Sequence, residues 1–166
     1  MKNLGKTTYI LGIRIYRDRS KRLLALSQNA YIDKMLKRFS MEDSRRRNFS
    51  MSHGIHLSKA MGQKTQDKRD KMSQAPFAST IGSIMYVMLC MRLDVAYALS
   101  ICGRYQADPG EKHWIAVKNI LKYLRRTKEM FVVYGGEEHT VKGFTDASFQ
   151  TDHDFKIIVK IHILPK

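Results

Sequence analysis

Asp146 is the side chain whose type and position most directly suggest catalysis, because it closes the alternating stretch "TVKGFTD". A carboxylate at the end of a strand can be one ligand of a two-metal site that positions water against a phosphodiester. Such chemistry requires several converging acidic groups, and nothing in the spacing fixes the nearby Asp152 and Asp154 on the same face. From the residues alone, a carboxylate that caps a turn is the favoured interpretation.

Histidine and cysteine offer two further groups of candidate ligands. His53 and His56 form an H-x-x-H pattern, which is half of a metal site, but no cysteine or carboxylate follows at the spacing of a zinc finger. Cys90 and Cys102 are the only cysteines and lie too far apart in the sequence for C-x-x-C chemistry. These patterns favour solvated loop histidines and inert thiols.

Positive charge is the strongest compositional signal. The chain of 166 residues has 30 Lys and Arg against 15 Asp and Glu, a formal net charge of +15, and most of this excess lies in residues 1–72. Such an excess predicts an anionic partner, and phosphate binding by Lys and Arg is strongly salt-dependent. We expect non-specific binding of RNA, DNA or an RNA–DNA hybrid, although basic runs are often only solvated charge. The predicted nucleic-acid-binding residues are Lys21, Arg22, Lys37, Arg38, Arg45, Arg46, Arg47, Lys118, Lys122, Arg125 and Arg126.

Tyrosine side chains have two possible roles beside these cations. Tyr31, Tyr105 and Tyr123 could stack on nucleic-acid bases, or they could form the amphipathic edge of the core. The second role is the more common one for tyrosines at helical spacing, so it is the favoured interpretation.

The elements predicted for the first half are a β-hairpin, a helix and a long connection. Residues 9–16 and 22–27 read as the two strands, and "QNAYIDKMLKRF" at 28–39 has the i, i+3, i+4, i+7 pattern of an amphipathic helix. Residues 40–74 are polar and basic without a sustained period, which predicts a surface connection.

The second half predicts helices followed by strands. Pro76 suits the first turn of a helix over 77–90, and two further helices are expected at 94–106 and 111–127. The runs "MFVVYGG" and "TVKGFTDASF" then suggest a second hairpin. The last residues, "FKIIVKIHILPK", alternate like a strand but fit least well with the rest.

Composition also bears on the cellular setting. Hydrophobic residues make up 43% of the chain, enough for the core of one domain, and two cysteines suggest a reducing compartment. The longest apolar run, "IGSIMYVMLCM", is about half of the ~20 residues that a membrane span needs, and no signal-peptide pattern opens the chain. We therefore expect an intracellular protein, cytoplasmic or nuclear and not secreted, with no membrane partner.

Three blocks of sequence resemble, in order and spacing, the Pol polyprotein of copia-type LTR retrotransposons from plants. The resemblance extends over about residues 1–154. The blocks are "YILGIRIYRDRSKRLLALSQNAYIDKMLKRFSM", "PFASTIGSIMYVMLCMRLDVAYALSICGRYQADPGEKHWIAVKNILKYLRRT" and "VKGFTDASF".

The resemblance implies a fragment that runs from the end of reverse transcriptase to the start of RNase H. The Tyr-x-Asp-Asp turn of the polymerase is absent, whereas Asp146 matches the first metal-binding aspartate of RNase H, for which the family implies Mg²⁺. Where the family has Thr-Pro-Met this chain has Phe49, Ser50 and Met51, and Leu93 replaces the proline of Arg-Pro-Asp. The match ends after Asp154. A single carboxylate cannot hold two metals, so no retained cofactor is expected.

The resemblance implies an α+β fold built of an incomplete reverse-transcriptase palm-edge hairpin, a helical thumb or connection block and a truncated RNase H-like hairpin. The corresponding segments are 1–75, 76–128 and 129–154, followed by a divergent tail at 155–166. Three functions are compatible with this sequence. They are a catalytically inactive Pol fragment that binds nucleic acid, an RNase H-like nuclease completed by another chain, and a recruited adaptor or effector-like interaction protein whose protein partners the sequence does not identify.

Overall fold

The structure, a computed structural model, describes residues 7–51 and 56–135. It combines helices with one four-stranded antiparallel sheet in the order β1-β2-β3-β4. The strands are β1 at Tyr9–Ile10, β2 at Ile13–Asp18, β3 at Leu23–Ser27 and β4 at Val132–Tyr134. The predicted pairing of the N-terminal strands is present, since β2 and β3 pair from Arg14 opposite Ser27 to Asp18 opposite Leu23. The prediction of one strand over residues 9–16 was wrong, because Leu11 and Gly12 turn the chain at positive φ and β1 pairs antiparallel with β2.

Strand β4 comes from the other end of the described chain and pairs antiparallel with β3. Val132 lies opposite Leu26, and Tyr134 lies opposite Leu24. A strand within residues 130–136 was expected from the sequence, but its pairing with β3 was not. The partner proposed for it, residues 140–149, lies outside the described residues, as does the tail at 155–166.

Residues 7–51 and 56–135 also contain five α-helices. They are α1 at Asn29–Arg38, α2 at Gln66–Ser73, α3 at Phe77–Cys90, α4 at Ala96–Gly103 and α5 at Glu111–Thr127. Helices α3 and α5 have the predicted bounds, and α1 lies within its predicted range. Helix α2 was missed, because its eight residues are polar and bury only Met72, which leaves no apolar period to detect.

Helix α5 is the centre of the helical core. Val117, Ile120, Leu121 and Leu124 are completely buried and form its inner face. The helix packs against α1, α3 and α4, which contribute Ile32, Met35 and Leu36, then Ile81, Ile84 and Val87, and then Ala98, Leu99 and Cys102. Burial raises the pKa of the Cys102 thiol to about 12, so the expectation of an inert thiol is met there.

The start of α5 is fixed by a close backbone approach and a buried histidine. A Cβ added to Gly110 would lie 1.9 Å from the Met61 carbonyl oxygen, so only glycine fits there. The Gly110 N–H donates to Nδ1 of His113 at 2.8 Å, and the His113 ring stacks on Tyr105 with centroids 4.2 Å apart. Tyr105 donates in turn to the Leu57 carbonyl at 2.8 Å, which joins the segment before α2 to α5.

The burial of His113 makes stability depend on pH. Burial lowers its pKa below the usual 6.5, and this outweighs the opposing effects of the Ser58 backbone and the Asp108 carboxylate. As the pH falls below about 6.5, the unfolded chain takes up a proton that folded His113 does not, so the free energy of unfolding decreases. We expect His113→Asn, which keeps a hydrogen-bond acceptor, to flatten this decrease between about pH 7 and 5. Urea denaturation across that range measures it, and parallel profiles would contradict the assignment.

Leu93 offers a stabilising substitution. It is the first residue of a short 3-10 helix at Leu93–Val95, and 72% of it is exposed. Proline suits a first helical position and reduces the entropy of the unfolded chain, so Leu93→Pro should raise the free energy of unfolding by about 0.5–1 kcal/mol. Thermal unfolding followed by circular dichroism measures this, with Leu93→Ala as the control for the lost leucine. A lower midpoint for the proline variant than for the alanine variant would contradict it.

Candidate nucleic-acid interface

A concavity of about 510 Å³ lies between the segment after α1 and the C-terminal half of α5. It is lined by Arg45, Arg46, Arg47, Asn48, Phe49 and Lys122, and is called here the Arg-rich concavity. Its described lining carries four cationic side chains and no carboxylate. Glu42 and Asp43 are exposed nearby in the sequence but are outside this lining. Lys122 is far from Arg45, Arg46 and Arg47 in the sequence, but all four side chains line this one concavity.

Backbone hydrogen bonds determine the path of this segment. The Met41 N–H donates to the Leu36 carbonyl at 2.8 Å, and the Met41 side chain is buried. Ser44 then closes a turn onto the Met41 carbonyl, with its N–H at 3.2 Å and its Oγ at 2.7 Å. This turn directs the following arginines toward α5.

Helix α5 holds the segment at two points. The Arg47 N–H donates to the Lys122 carbonyl at 3.4 Å, and the Arg125 guanidinium donates to the Ser44 carbonyl. Arg125 was predicted to bind nucleic acid, and this hydrogen bond also gives its side chain a role in positioning the segment. Its positive charge stays beside the Arg-rich concavity, where it adds to the local potential.

The other predicted cations of the helices have different surroundings. The Lys118 ammonium lies 5.7 Å from the centre of the Trp114 ring, and Arg126 is exposed. Lys37 and Arg38 are exposed in the last turn of α1, where the helix dipole favours cations. The Arg38 guanidinium also lies 5.5 Å from the Phe39 ring. Helix α1 packs on α5, so Lys37 and Arg38 add positive charge to the pair of helices that also carries Lys118 and Arg126.

Lys21 and Arg22 lie in the β2–β3 turn, and neither lines the Arg-rich concavity. Asp18 organises this turn by accepting from the Ser20 hydroxyl at 2.6 Å and from the Ser20 and Lys21 N–H groups at 3.0 and 3.2 Å. These hydrogen bonds, led by that from the Ser20 side chain, lower the pKa of Asp18. Both cations are exposed, but the structure does not bring them together with the arginine run.

The tyrosines considered for base stacking have structural roles, as the favoured interpretation held. Tyr105 is buried against His113, and the Tyr31 ring lies 4.8 Å from that of Tyr86. The Tyr123 hydroxyl donates to Asp94 at 2.7 Å. The exposed aromatic ring of the site is instead Phe49, which the sequence reasoning missed; its only signal was an aromatic residue within a polar, basic run.

The candidate metal ligands are mostly outside the described residues. Asp146, Asp152, Asp154 and His53 all lie there. His56 is described, and it lines a separate cavity of about 350 Å³ with Leu57, Met61, Lys112, Ile115, Ala116 and Asn119. Within residues 7–51 and 56–135, no three His, Cys, Asp or Glu side chains are grouped as metal ligands would be. In the same ranges, no helix combines the length and apolar composition of a membrane span.

Comparison with known proteins identifies transposon proteins as relatives over nearly the whole chain, among them retrotransposon Pol polyproteins. The Retrovirus-related Pol polyprotein from transposon TNT 1-94 of Nicotiana tabacum is 40% identical over 154 residues, which is 93% of this chain. The corresponding polyprotein from transposon RE1 of Arabidopsis thaliana is 29% identical over 155 residues. The chain spans 12% and 10% of these two relatives, so it corresponds to a short segment of such a polyprotein.

A relative of another kind shares about half of the chain. The Secreted RxLR effector protein 161 of Plasmopara viticola is 36% identical over 86 residues, which is 49% of this chain and 58% of that protein. No family model matches the chain. No solved structure matches it either.

Proposed function

We propose that this chain is a noncatalytic segment of a copia-type Pol polyprotein, from the reverse transcriptase/RNase H region, and that it binds nucleic acid without sequence specificity. The observation that carries the binding proposal is the Arg-rich concavity, where four cationic side chains from two separate parts of the chain meet. RNA, DNA and RNA–DNA hybrids all present phosphates to such a site.

The regional assignment follows the sequence resemblance and the similarity to plant Pol polyproteins. In this proposal residues 1–75 derive from the palm edge of reverse transcriptase, residues 76–128 from the thumb or connection block, and residues 129–154 from the beginning of RNase H. The pairing of β4 with β3 joins two of these segments, because β4 belongs to residues 129–154 and β3 to residues 1–75.

Electrostatics explains why the Arg-rich concavity suits phosphates. Arginine keeps its charge at physiological pH, and its planar fork matches two phosphate oxygens at once. The net charge of +15 adds a long-range attraction for any polyanion and accelerates encounter. Neither contribution distinguishes one base from another, so the expected binding is general.

Catalysis is not assigned to this chain. The resemblance supplies one RNase H carboxylate, Asp146, and two-metal chemistry requires several converging carboxylates. An RNase H-like nuclease completed by another chain is the alternative. It requires Mg²⁺-dependent cleavage of RNA in a hybrid that Asp146→Asn abolishes, and undiminished cleavage by that variant would exclude the alternative.

The effector-like alternative is favoured by the similarity to the Plasmopara viticola protein. That similarity covers 49% of the chain, whereas the similarity to the TNT 1-94 polyprotein covers 93%, and the 166 residues contain no Arg-x-Leu-Arg sequence. The Pol-derived function therefore accounts for more of the molecule.

Fluorescence anisotropy with labelled oligonucleotides tests the binding proposal. Oligonucleotides of unrelated sequence should bind with similar affinity, with dissociation constants of about 10⁻⁶ to 10⁻⁴ M at physiological salt. The logarithm of the association constant should fall linearly with the logarithm of the salt concentration. No binding at low salt, or binding that salt does not weaken, would contradict the proposal.

A further inference from the structure

Among the described residues that line the Arg-rich concavity, Phe49 is the apolar one, and phosphate binding gives it no role. Its 72% exposure places it among the most exposed large hydrophobic residues of the described chain. Its neighbours along the segment, Arg46 and Asn48, are also exposed. A phenyl ring therefore faces solvent beside several cations, with an amide next to it.

Cations and an aromatic face together match the two chemically different surfaces of an unpaired nucleotide. The phosphate needs positive charge, and the base presents a π-face that stacks on aromatic rings. We propose that the Arg-rich concavity is a subsite for single-stranded nucleic acid, in which Arg45, Arg46, Arg47 and Lys122 bind the backbone and Phe49 stacks on a base. This inference rests on the proposed nucleic-acid binding and names the strand state that the site selects.

Charge alone would favour a duplex over a single strand. A duplex has the higher charge density, so each phosphate contact releases more counterion on a duplex than on a single strand. Within a duplex, however, the faces of all internal bases are covered by their neighbours, and an exposed ring on a surface segment meets only their edges. Phe49 thus favours single strands over duplexes, and its removal should return the site to the preference set by charge.

Asn48 lies between the arginines and the ring. Its amide carries two donors and one acceptor, which suit base edges and sugar hydroxyls. The stacking interaction itself is tolerant of sequence, because every base has a π-face. The subsite is therefore selective for unpaired bases and general toward base identity.

The test compares Phe49→Leu with the unaltered chain on three ligands of equal length. Leucine keeps an apolar side chain but has no π-face. On a single-stranded oligonucleotide, Phe49→Leu should bind about tenfold more weakly, the loss of one base–aromatic stack. On a duplex of the same sequence, and on an abasic single strand that keeps every phosphate, the variant should bind within about twofold of the unaltered chain.

Matched variants make the result specific. Phe49→Trp should restore or strengthen single-strand binding, because indole also stacks. Tyr97→Leu removes another exposed aromatic ring, on α4, and should leave all three affinities unchanged. Equal losses on the normal and abasic strands would overturn the stacking inference, as would an unchanged affinity of Phe49→Leu for the single strand. If salt-dependent binding persisted in those cases, the proposed function would stand without this inference.

Discussion

Replacing Arg45, Arg46 and Arg47 together with glutamine is expected to weaken binding of a single-stranded oligonucleotide by about two orders of magnitude at about 50 mM salt. The three guanidinium groups line one concavity with Lys122, so their charges act on the same stretch of backbone. Each lost phosphate contact also removes about 0.7 from the slope of log affinity against log salt for a single strand. The slope should thus become shallower by about 2.

The matched control removes the same charge elsewhere. Lys64, Lys68 and Lys71 are exposed residues in and just before α2, and their replacement by glutamine lowers the net charge equally. We expect this control to lower the affinity by less than about threefold, through the general field alone. If both triple variants lost affinity equally, the binding would depend on net charge rather than on the Arg-rich concavity.

Replacing Arg92 with leucine is expected to lower the free energy of unfolding by about 2 kcal/mol, because its charged hydrogen bonds are lost. Arg92 is 5% exposed, and its guanidinium donates to both carboxylate oxygens of Asp94, at 2.9 and 2.6 Å. It also donates to the carbonyl and hydroxyl oxygens of Thr127 at 3.2 and 2.6 Å, where α5 ends. Its removal leaves the Asp94 carboxylate with the Tyr123 hydroxyl as its remaining side-chain donor and removes the Arg92 hydrogen bonds from the end of α5. Urea denaturation followed by circular dichroism measures the loss.

Two comparisons test this explanation. Asp94→Leu combined with Arg92→Leu should recover part of the lost stability, because no charge is then left unpaired. Lys71→Leu, at an exposed position of α2, should change stability by less than about 0.5 kcal/mol. A loss of that small size for Arg92→Leu would show that the hydrogen bonds from Arg92 to Asp94 and Thr127 do not stabilise the fold.

The Arg92–Asp94 ion pair also predicts how the free energy of unfolding depends on pH in acid. Burial acts to raise the pKa of Asp94, but hydrogen bonds from Arg92 and Tyr123 outweigh it, so its pKa lies below 3.8. A lowered carboxyl pKa stabilises the fold above about pH 4, and this contribution is lost as the pH falls through the folded pKa. In the Arg92→Leu variant, the dependence of stability on pH below about 4 should therefore be weaker. Parallel profiles of stability against pH for the variant and the unaltered chain would contradict this prediction.

Local sequence signals predicted the elements that carry strong periodicity or turns. Helices α3 and α5 have their expected bounds because Pro76 precedes one, Asp108-Pro109-Gly110 precedes the other, and both bury regular apolar positions. Helix α2 could not be found this way, since it buries only Met72 and so has no apolar period. The β3–β4 pair joins residues about a hundred positions apart, and no local pattern encodes such a partner.

The candidate site was predicted in composition but not in geometry. Charge selected Arg45, Arg46 and Arg47, but it also selected Lys21 and Arg22, which lie in the β2–β3 turn. Net charge does not show which charged residues lie on the same surface. The arginine run meets Lys122 because two hydrogen bonds join these distant segments, one from the Arg47 N–H to the Lys122 carbonyl and one from the Arg125 side chain to the Ser44 carbonyl. Phe49 was not predicted as a site residue, because a single exposed aromatic residue indicates a site only when its neighbours in space are known.

The pairing of β4 with β3 also sets the order in which the protein can fold as it is made. Strands β2 and β3 leave the ribosome early, whereas Val132–Tyr134 follows only after all five described helices have been synthesised. At about 5–20 residues per second, β3 waits roughly 5–20 s for this partner. During that interval one edge of β3 keeps unpaired backbone groups, and a neighbouring nascent chain can pair with them. The helices can pack before the sheet is complete, so the last described strand closes the fold rather than starting it.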